Sequence, residues 1–309
     1  MNQPKSFLLF TLLAALGSGL SAADKKIIFL AGPPSNSHRS GQHEHRADCL
    51  LFQSCLAGFP GVTTAEYDNG WPTVQKDGSA VDDDSALDSA DAVVVICDGG
   101  NHNALLLGDR LDAIGRLMKK GVGLALIHWA DEATKEKGEK EFLDWVGGAA
   151  ELNMTVNSHW LAEFKILPVH PVTRGVKPFS TVDEWSFPMR FREDMHGITP
   201  LLVAVPPVST MKRPDGPRSG NPEVRAAVMR GDPQTVAWVM DRADGGRGFA
   251  ISGGHFHAGY KNDDERKLVL NAIVWVAHGE VPENGVPSTV TDEQLKANLD
   301  AAAAKHPSK

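Results

Sequence analysis

Short apolar runs, each closed by a glycine, a polar residue or a histidine, constrain the fold of this 309-residue chain most strongly. The clearest run is Asp91–Cys97, and similar runs occur at Lys26–Leu30 and Gly123–Ile127. These segments do not alternate between apolar and polar residues, which predicts strands buried on both faces. Strands of that kind belong to parallel sheets that helices cover on both sides.

Helical patterns lie between these predicted strands, at Glu44–Leu56, Leu105–Met118 and Phe142–Val146, and Val62–Tyr67 predicts a further strand. Strands and helices therefore alternate through the first half of the chain. This alternation predicts right-handed crossovers and an α/β fold in which helices flank a parallel sheet.

The second half has a different pattern. It combines a β-rich insertion containing many aromatic residues, a surface loop dense in proline and glycine, two strands and a final helix. In chain order these segments are Val156–Leu167 and Thr181–Phe191, Pro206–Pro222, Thr235–Met240 and Gly248–Ser252, and Asp263–His278.

The amino-terminal segment predicts export. Phe7–Leu20 is apolar but too short to span a bilayer, and Ser21, Ala22 and Ala23 are small residues of the kind that a signal peptidase recognises. We therefore predict a signal peptide at residues 1–23, one α/β domain at 24–285 and a peripheral tail at 286–309. The mature protein is expected to be periplasmic or secreted, with no membrane span after cleavage.

Charge and cysteine content exclude several classes of protein. The formal net charge is -8 and the sequence has no basic cluster, which argues against a nucleic-acid partner. Cys49, Cys55 and Cys97 cannot all pair, and we expect buried thiols rather than a disulfide framework.

Histidines follow three of the predicted strands, and this is the main functional signal in the sequence. Ligands of open parallel sheets bind beyond the carboxyl ends of the strands, so these side chains are expected to share one edge. The first strand leads to a segment with His38, His43 and His45, and the other two strands lead to His128 and to His255 with His257. The predicted metal ligands are His43, His128, His255 and His257.

Each histidine segment also has a simpler interpretation. A lone His-x-His is often structural, and a histidine at a strand end often donates a hydrogen bond to a backbone carbonyl. For Glu44, beside His43, the simpler interpretation is a favourable charge at the start of the following helix, where it complements the helix dipole. His255 and His257 share a face only if their strand continues through them.

Two carboxylates are candidate bases near these histidines. Glu163 is four residues from His159, and Glu184 is followed by Arg192, which is expected to orient a hydroxyl or keto oxygen. A carboxylate beside a divalent ion stays ionised and can accept a proton. A salt bridge between Glu184 and an arginine is the alternative. Trp160 and Trp185 are suited to stacking on a sugar ring, although most tryptophans are core residues.

Other catalytic schemes find no support in the sequence. No Gly-x-Ser-x-Gly elbow occurs, and Gly99-Gly100 and Gly245-Gly246 lack the spacing of a dinucleotide-binding loop. A serine hydrolase and a nicotinamide-dependent enzyme are therefore disfavoured.

Several motifs resemble those of the ThuA-like, or trehalose-utilisation, family, in family order from about residue 26 to 281. They are Gly121–His128, His170–Gly175, Val182–Trp185, and Gly254-His255 followed by the helix Arg266–Trp275. Asp98-Gly99-Gly100 adds a likeness to exported members.

The resemblance implies a flavodoxin-like fold related to class I glutamine amidotransferases, to which the sequence pattern adds the β-rich aromatic insertion in the second half. In those enzymes a cysteine occupies the strand-to-helix elbow, where this sequence has His128, and a His-x-Glu pair stands where this sequence has His255 and His257. Glutaminase chemistry should therefore be lost, and imidazole in place of thiol suits a converted metal site.

The resemblance also implies a role in disaccharide catabolism. The first hypothesis is an exported lyase or hydrolase that uses a divalent ion (zinc, manganese or iron) on 3-keto-glycosides made by a sugar 3-dehydrogenase. The second is a non-catalytic carbohydrate-binding module on a degenerate fold, and a third is an interaction or scaffold protein.

Overall fold

The computed structural model describes residues 24–35 and 38–300. The predicted signal peptide and the alanine-rich segment after residue 300 lie outside these described residues. Within the described ranges, no helix is long and apolar enough to cross a bilayer.

Thirteen strands occur in the described residues. In chain order they are β1 Lys25–Ala31, β2 Val62–Tyr67, β3 Thr73–Lys76, β4 Ser79–Asp82, β5 Ala92–Ile96, β6 Gly123–Ile127, β7 Gly148–Ala149, β8 His159–Phe164, β9 Phe179–Glu184, β10 Arg190–Phe191, β11 Ile198–Ala204, β12 Gln234–Asp241 and β13 Arg247–Ile251.

Five α-helices and several short 3-10 turns connect these strands. The helices are α1 His45–Leu56, α2 Arg110–Met118, α3 Glu139–Trp145, α4 Pro222–Arg230 and α5 Asp263–Val276. The 3-10 turns are Asp68–Gly70, Asp84–Leu87, Gly100–His102, Ala104–Leu106, His128–Asp131, Pro171–Thr173, Val208–Met211, His257–Lys261 and Gln294–Lys296.

Seven strands form the central sheet, in the order β11-β12-β13-β6-β5-β1-β2. The five strands from β13 to β2 are parallel, whereas β12 and β11 add to one side in antiparallel fashion. Every residue of β5 and β6 is buried, as the unbroken apolar runs predict. The carboxyl ends of β13, β6, β5 and β1 therefore lie side by side at one edge.

Helices cover both faces of the sheet and bury a separate core on each. One core contains Phe52 of α1 and Leu268 and Ile273 of α5, whereas the other contains Ile114 of α2 and Phe142 of α3. The predicted α/β class, a mostly parallel sheet between helical layers, is confirmed.

Some elements differ from their predicted form. The helix predicted from Leu105 begins only at Arg110, because a separate 3-10 turn precedes it. A hairpin of β3 and β4 was not predicted, and its residues are exposed and carry little apolar signal. The aromatic insertion forms an antiparallel pair of β8 and β9, and a shorter pair of β10 and β7.

The described part of the carboxyl-terminal tail packs on the domain and is not peripheral. Val286 is fully buried and its N–H donates to Asn271 of α5, at 2.7 Å. Leu295 is also buried, and the backbone N–H of Asp300 donates to the Glu44 carboxylate at 2.6 Å. The boundary predicted at residue 285 therefore cuts through packed structure.

Candidate functional site

Three histidines from separate segments meet at the carboxyl edge of the sheet. His43 Nε2 lies 3.0 Å from His255 Nδ1 and 3.4 Å from His128 Nε2. All three side chains are buried, and one nitrogen from each lies within 4.8 Å of the other two. The convergence expected from the strand ends is present for these three residues.

His128 begins the turn that follows β6, with a left-handed backbone at φ 54°. Its Nδ1 lies 2.7 Å from the carbonyl oxygen of Ser252. A carbonyl only accepts, so Nδ1 carries the proton and Nε2 presents a lone pair to the other two rings. Burial and the nearby His43 ring lower the pKa of His128 well below its usual value, which keeps the ring neutral.

His43 is held from two sides. Its Nδ1 donates to Asp98 Oδ1 at 3.2 Å, so Nε2 is the nitrogen that carries the lone pair. The backbone N–H of His43 donates to the carbonyl of His255 at 3.1 Å, and Gln42 forms a bridge with Phe256. This short pairing fixes the two histidine segments to each other.

His255 is positioned by the buried carboxylate of Asp183. Asp183 accepts hydrogen bonds from the backbone N–H groups of Gly254 and His255, at 2.9 and 3.0 Å. Burial and the neighbouring His43 ring lower the pKa of His255 to about 3, even though Glu184 opposes the shift. The His255 side chain is therefore neutral at physiological pH.

The facing nitrogens of His43 and His128 fit a metal ion better than they fit each other. The tautomers above direct the lone pairs of His43 Nε2 and His128 Nε2 at each other across 3.4 Å, an arrangement that a cation stabilises. Zinc–nitrogen bonds of about 2.0–2.1 Å in a tetrahedron place two ligand nitrogens roughly 3.3–3.4 Å apart. The Asp98 carboxylate and the Ser252 carbonyl also match the outer partners that fix the tautomer of metal-binding histidines.

Glu184 and His159 form an acid–base pair beside this cluster. His159 Nε2 lies 3.4 Å from Glu184 Oε2, and that oxygen lies 3.8 Å from His255 Nδ1. Burial raises the pKa of Glu184, but His159 and the neighbouring imidazoles lower it by more, so the pKa lies at about 2. The same contact raises the pKa of His159, whose ring is 47% exposed, so this ring can carry a proton to a bound molecule.

His257 lies outside the cluster, contrary to the prediction. Strand β13 ends at Ile251, so the chain does not continue with period two, and His257 begins a 3-10 turn. Its Nδ1 lies 2.5 Å from Asp48 Oδ1 in α1, in a fully buried pair. His257 therefore belongs to a structural contact between α1 and the turn.

Glu163 and Arg192 are also remote from the three histidines. Glu163 lies four residues along β8 from His159, about 13 Å at the rise of a strand, and pairs with Lys165 at 2.7 Å. Arg192 pairs with Asp194 at 2.9 Å and lines a different groove. Neither residue is in a position to act as base or to orient a substrate there.

Trp160 and Trp185 are core residues and do not present a face to a sugar. Both are buried, and the Trp160 indole N–H donates to the Trp185 carbonyl at 2.8 Å. Cys97 is likewise buried, and burial raises the pKa of its thiol to about 12, so it is no nucleophile.

Three residues at this edge were not predicted as site residues. Asp98 directly follows β5 and accepts a hydrogen bond from His43. Its place at the end of a central strand is the signal that could have identified it. Trp129 follows His128, with its ring centroid 5.3 Å from that of His43. Arg218 lies in the predicted surface loop, and its guanidinium stacks 4.7 Å from the Trp129 ring.

Comparisons with known proteins agree with this architecture. A family model described as ThuA, trehalose utilisation, matches residues 40–276. No curated protein sequence matches the chain.

Two solved structures described as ThuA-like share the fold. One, from Bacteroides uniformis, has 16% identity and a TM-score of 0.54, and the alignment covers 83% of this chain and 94% of that one. The other, from Parabacteroides merdae, has 15% identity and a TM-score of 0.53, and covers 87% and 94%.

Proposed function

The chain belongs to the ThuA trehalose-utilisation family, and from that premise we propose that it is an exported, metal-assisted enzyme that cleaves 3-keto-glycosides. The observation that carries this proposal is the set of three buried imidazoles in which His43 Nε2 lies 3.0 Å from His255 Nδ1 and 3.4 Å from His128 Nε2. An ionised carboxylate and a protonatable histidine stand beside them.

His43, His128 and His255 would hold the ion, and Glu184, 3.8 Å from His255, would act beside it as the base. Imidazole-rich sets suit zinc or iron better than magnesium or calcium, and manganese remains within the proposal. A bound divalent ion would polarise the C3 ketone of the sugar as a Lewis acid.

Glu184 and His159 supply the proton transfers. A ketone at C3 acidifies the hydrogen at C2, and Glu184 takes that proton as the C1=C2 double bond forms. The bond between C1 and the glycosidic oxygen breaks, and His159 donates a proton to that oxygen. The products are an unsaturated 3-keto sugar and a free alcohol, which is a lyase reaction.

The same two residues account for net hydrolysis. Water adds across the C1=C2 bond, with its oxygen to C1. Glu184 returns its proton to C2, and His159 accepts the proton that the water loses. Both residues then regain their starting protonation states. The 3-keto substrate itself would come from a sugar 3-dehydrogenase.

Metal content and turnover of one variant test the proposal. The test variant is His128→Asn, because asparagine tolerates the left-handed backbone at this position. His196→Ala, at an exposed histidine, is the control. We expect about one equivalent of metal in the wild type and the control by plasma mass spectrometry. In H128N we expect metal affinity to fall about 100-fold or more, together with loss of turnover of 3-keto-trehalose.

Two outcomes would contradict the proposal. If the metal-free wild-type protein turned over the substrate at an undiminished rate, the ion would have no role in the reaction. Sugar binding without turnover, even in the metal-loaded protein, would favour the non-catalytic carbohydrate-binding module.

A further inference from the structure

A groove of about 700 Å³ opens next to the three histidines. Two of its lining residues contact the cluster directly, since Asp98 accepts a hydrogen bond from His43 and the Trp129 ring lies 5.3 Å from the His43 ring. Its volume falls in the range of pockets that hold small ligands, about 300–1,000 Å³. A ligand there would adjoin the centre without occupying it.

Asp98 and Gly99, which follow β5, line the groove, and Gly100 comes next in the same motif. A Cβ on Gly99 would come within 2.4 Å of the Trp129 ring. Gly100 has φ 59°, and a Cβ there would lie 3.0 Å from Glu132 Oε1. Only glycines at these two positions let the tryptophan and the glutamate approach the backbone so closely.

Arg218 lines the groove and is already paired with a carboxylate. Its Nε and Nη2 donate to the two oxygens of Glu132, at 2.9 and 2.5 Å, and Glu132 also accepts from the Trp129 indole N–H at 2.8 Å. Among the described residues that line the groove, Arg218 is the only lysine or arginine. The groove therefore offers no unpaired cation to a phosphate or a carboxylate.

The remaining lining suits a sugar. Asn101 and His102 supply polar groups, and Leu107 and Leu152 supply apolar surface next to Trp129. Pyranose rings combine an apolar face with hydroxyl groups around the edge, which this mixture matches.

We propose that this groove is the subsite for the leaving group of the glycoside, and that it accepts an uncharged pyranose. The assignment to a leaving group rests on the proposed function, whereas the binding of a neutral sugar does not. The groove then selects disaccharides over glycosides with a small alcohol, and neutral sugars over phosphorylated ones.

Calorimetry with two related probes tests the ligand class. Trehalose is titrated into the metal-loaded protein, and trehalose 6-phosphate is the matched probe that differs by one phosphate. We expect the phosphorylated probe to bind at least fivefold more weakly. Absence of trehalose binding, or equal or tighter binding of the phosphate, would overturn the proposal.

A blocking variant tests the position. Leu107, 43% exposed, is changed to Trp, and Leu161→Trp at an exposed leucine on β8 is the control. We expect L107W to weaken trehalose binding at least tenfold, and L161W to leave it unchanged. Trehalose binding by L107W that equals the wild type would place the sugar elsewhere and refute the subsite.

Kinetics separate this proposal from the proposed function. L107W is expected to raise KM at least tenfold for 3-keto-trehalose and less than twofold for methyl 3-keto-glucoside. Loss of trehalose binding in L107W, in a protein that turns over neither keto sugar, would support the groove and refute the reaction. Equal KM changes for both substrates would refute the leaving-group assignment.

Discussion

His255 and His257 stand two positions apart in the sequence and have opposite surroundings. His255 faces His43, at 3.0 Å between ring nitrogens, and its pKa falls to about 3. His257 faces the Asp48 carboxylate at 2.5 Å; burial lowers its pKa, but Asp48 raises it by more. One ring is thus a neutral base with one lone pair to offer, whereas the other is hydrogen-bonded to a carboxylate that favours its protonated form.

The comparison shows that burial alone does not decide what a histidine can do. The Asp48 carboxylate, 2.5 Å from His257, stabilises the imidazolium form of that ring, which has no lone pair for a metal. A ring surrounded by other imidazoles loses its proton instead. The identity of the nearest partner therefore separates ligand from structural residue.

The largest test of the comparison exchanges each histidine for glutamine. We expect His257→Gln to lower the free energy of unfolding of the metal-free protein by about 3–5 kcal/mol, because Asp48 stays buried without its partner. Metal stoichiometry should not change. His255→Gln should weaken metal binding about 100-fold or more and alter unfolding by about 1 kcal/mol or less. Urea unfolding and metal titration of both variants check this, and loss of metal from a folded H257Q protein would break the comparison.

A smaller effect is expected from Asp98, the carboxylate that orients His43. Burial raises the pKa of Asp98, but contacts with His43, His45 and Ser35 bring it well below the usual range. Asp98→Asn keeps the hydrogen bond and removes the charge, so metal affinity should fall about 10–100-fold. Competition with a chelator measures this. Asp144→Asn, at an exposed aspartate, is the control, and equal affinities for the two variants would deny Asp98 that role.

The smallest effect concerns Glu66, a largely buried carboxylate with no imidazole partner. Burial and the hydrogen bond with Asp68 raise its pKa from 4.5 to about 7, although Arg46 opposes the shift. The folded state therefore favours the neutral form, and this stabilisation is complete below pH 4.5 and is lost as the pH rises through about 7.

Glu66→Gln should remove that dependence. Relative to the variant, the wild type should lose about 1 kcal/mol of stability between pH 5 and 8, since solvent contact screens the effect. Urea unfolding across this pH range measures the difference. If the free energy of unfolding changed with pH in the same way for both proteins, ionisation of Glu66 would not affect stability.

The sequence predicts the central sheet well because buried parallel strands leave a local signal. Val62–Tyr67 and Gly123–Ile127 have the predicted bounds, and β1, β5 and β13 differ from them by one or two residues. The strand ends also identify the edge where the histidines meet. Both inferences need only the residues of each segment and the rule that parallel strands end together.

The site residues that the sequence misplaced depend on geometry beyond one segment. Predicting that His257 joins His255 requires a strand that continues, whereas the chain turns after β13. Glu163 shares a face with His159, but strand rise separates the two. Arg218 reaches Trp129 from a loop 89 positions later in the sequence, and no local pattern shows such a contact.

The Glu44 carboxylate ties together parts of the chain that are made at very different times. Its two oxygens accept from the N–H groups of Gly41 and Asp300, each at 2.6 Å, and the second partner lies 256 positions later. Ribosomal synthesis proceeds from the amino end, so the segment that carries His43 gains its last hydrogen bond only when residue 300 has emerged. The candidate site therefore reaches its full set of backbone contacts only after nearly all of the described chain has been made.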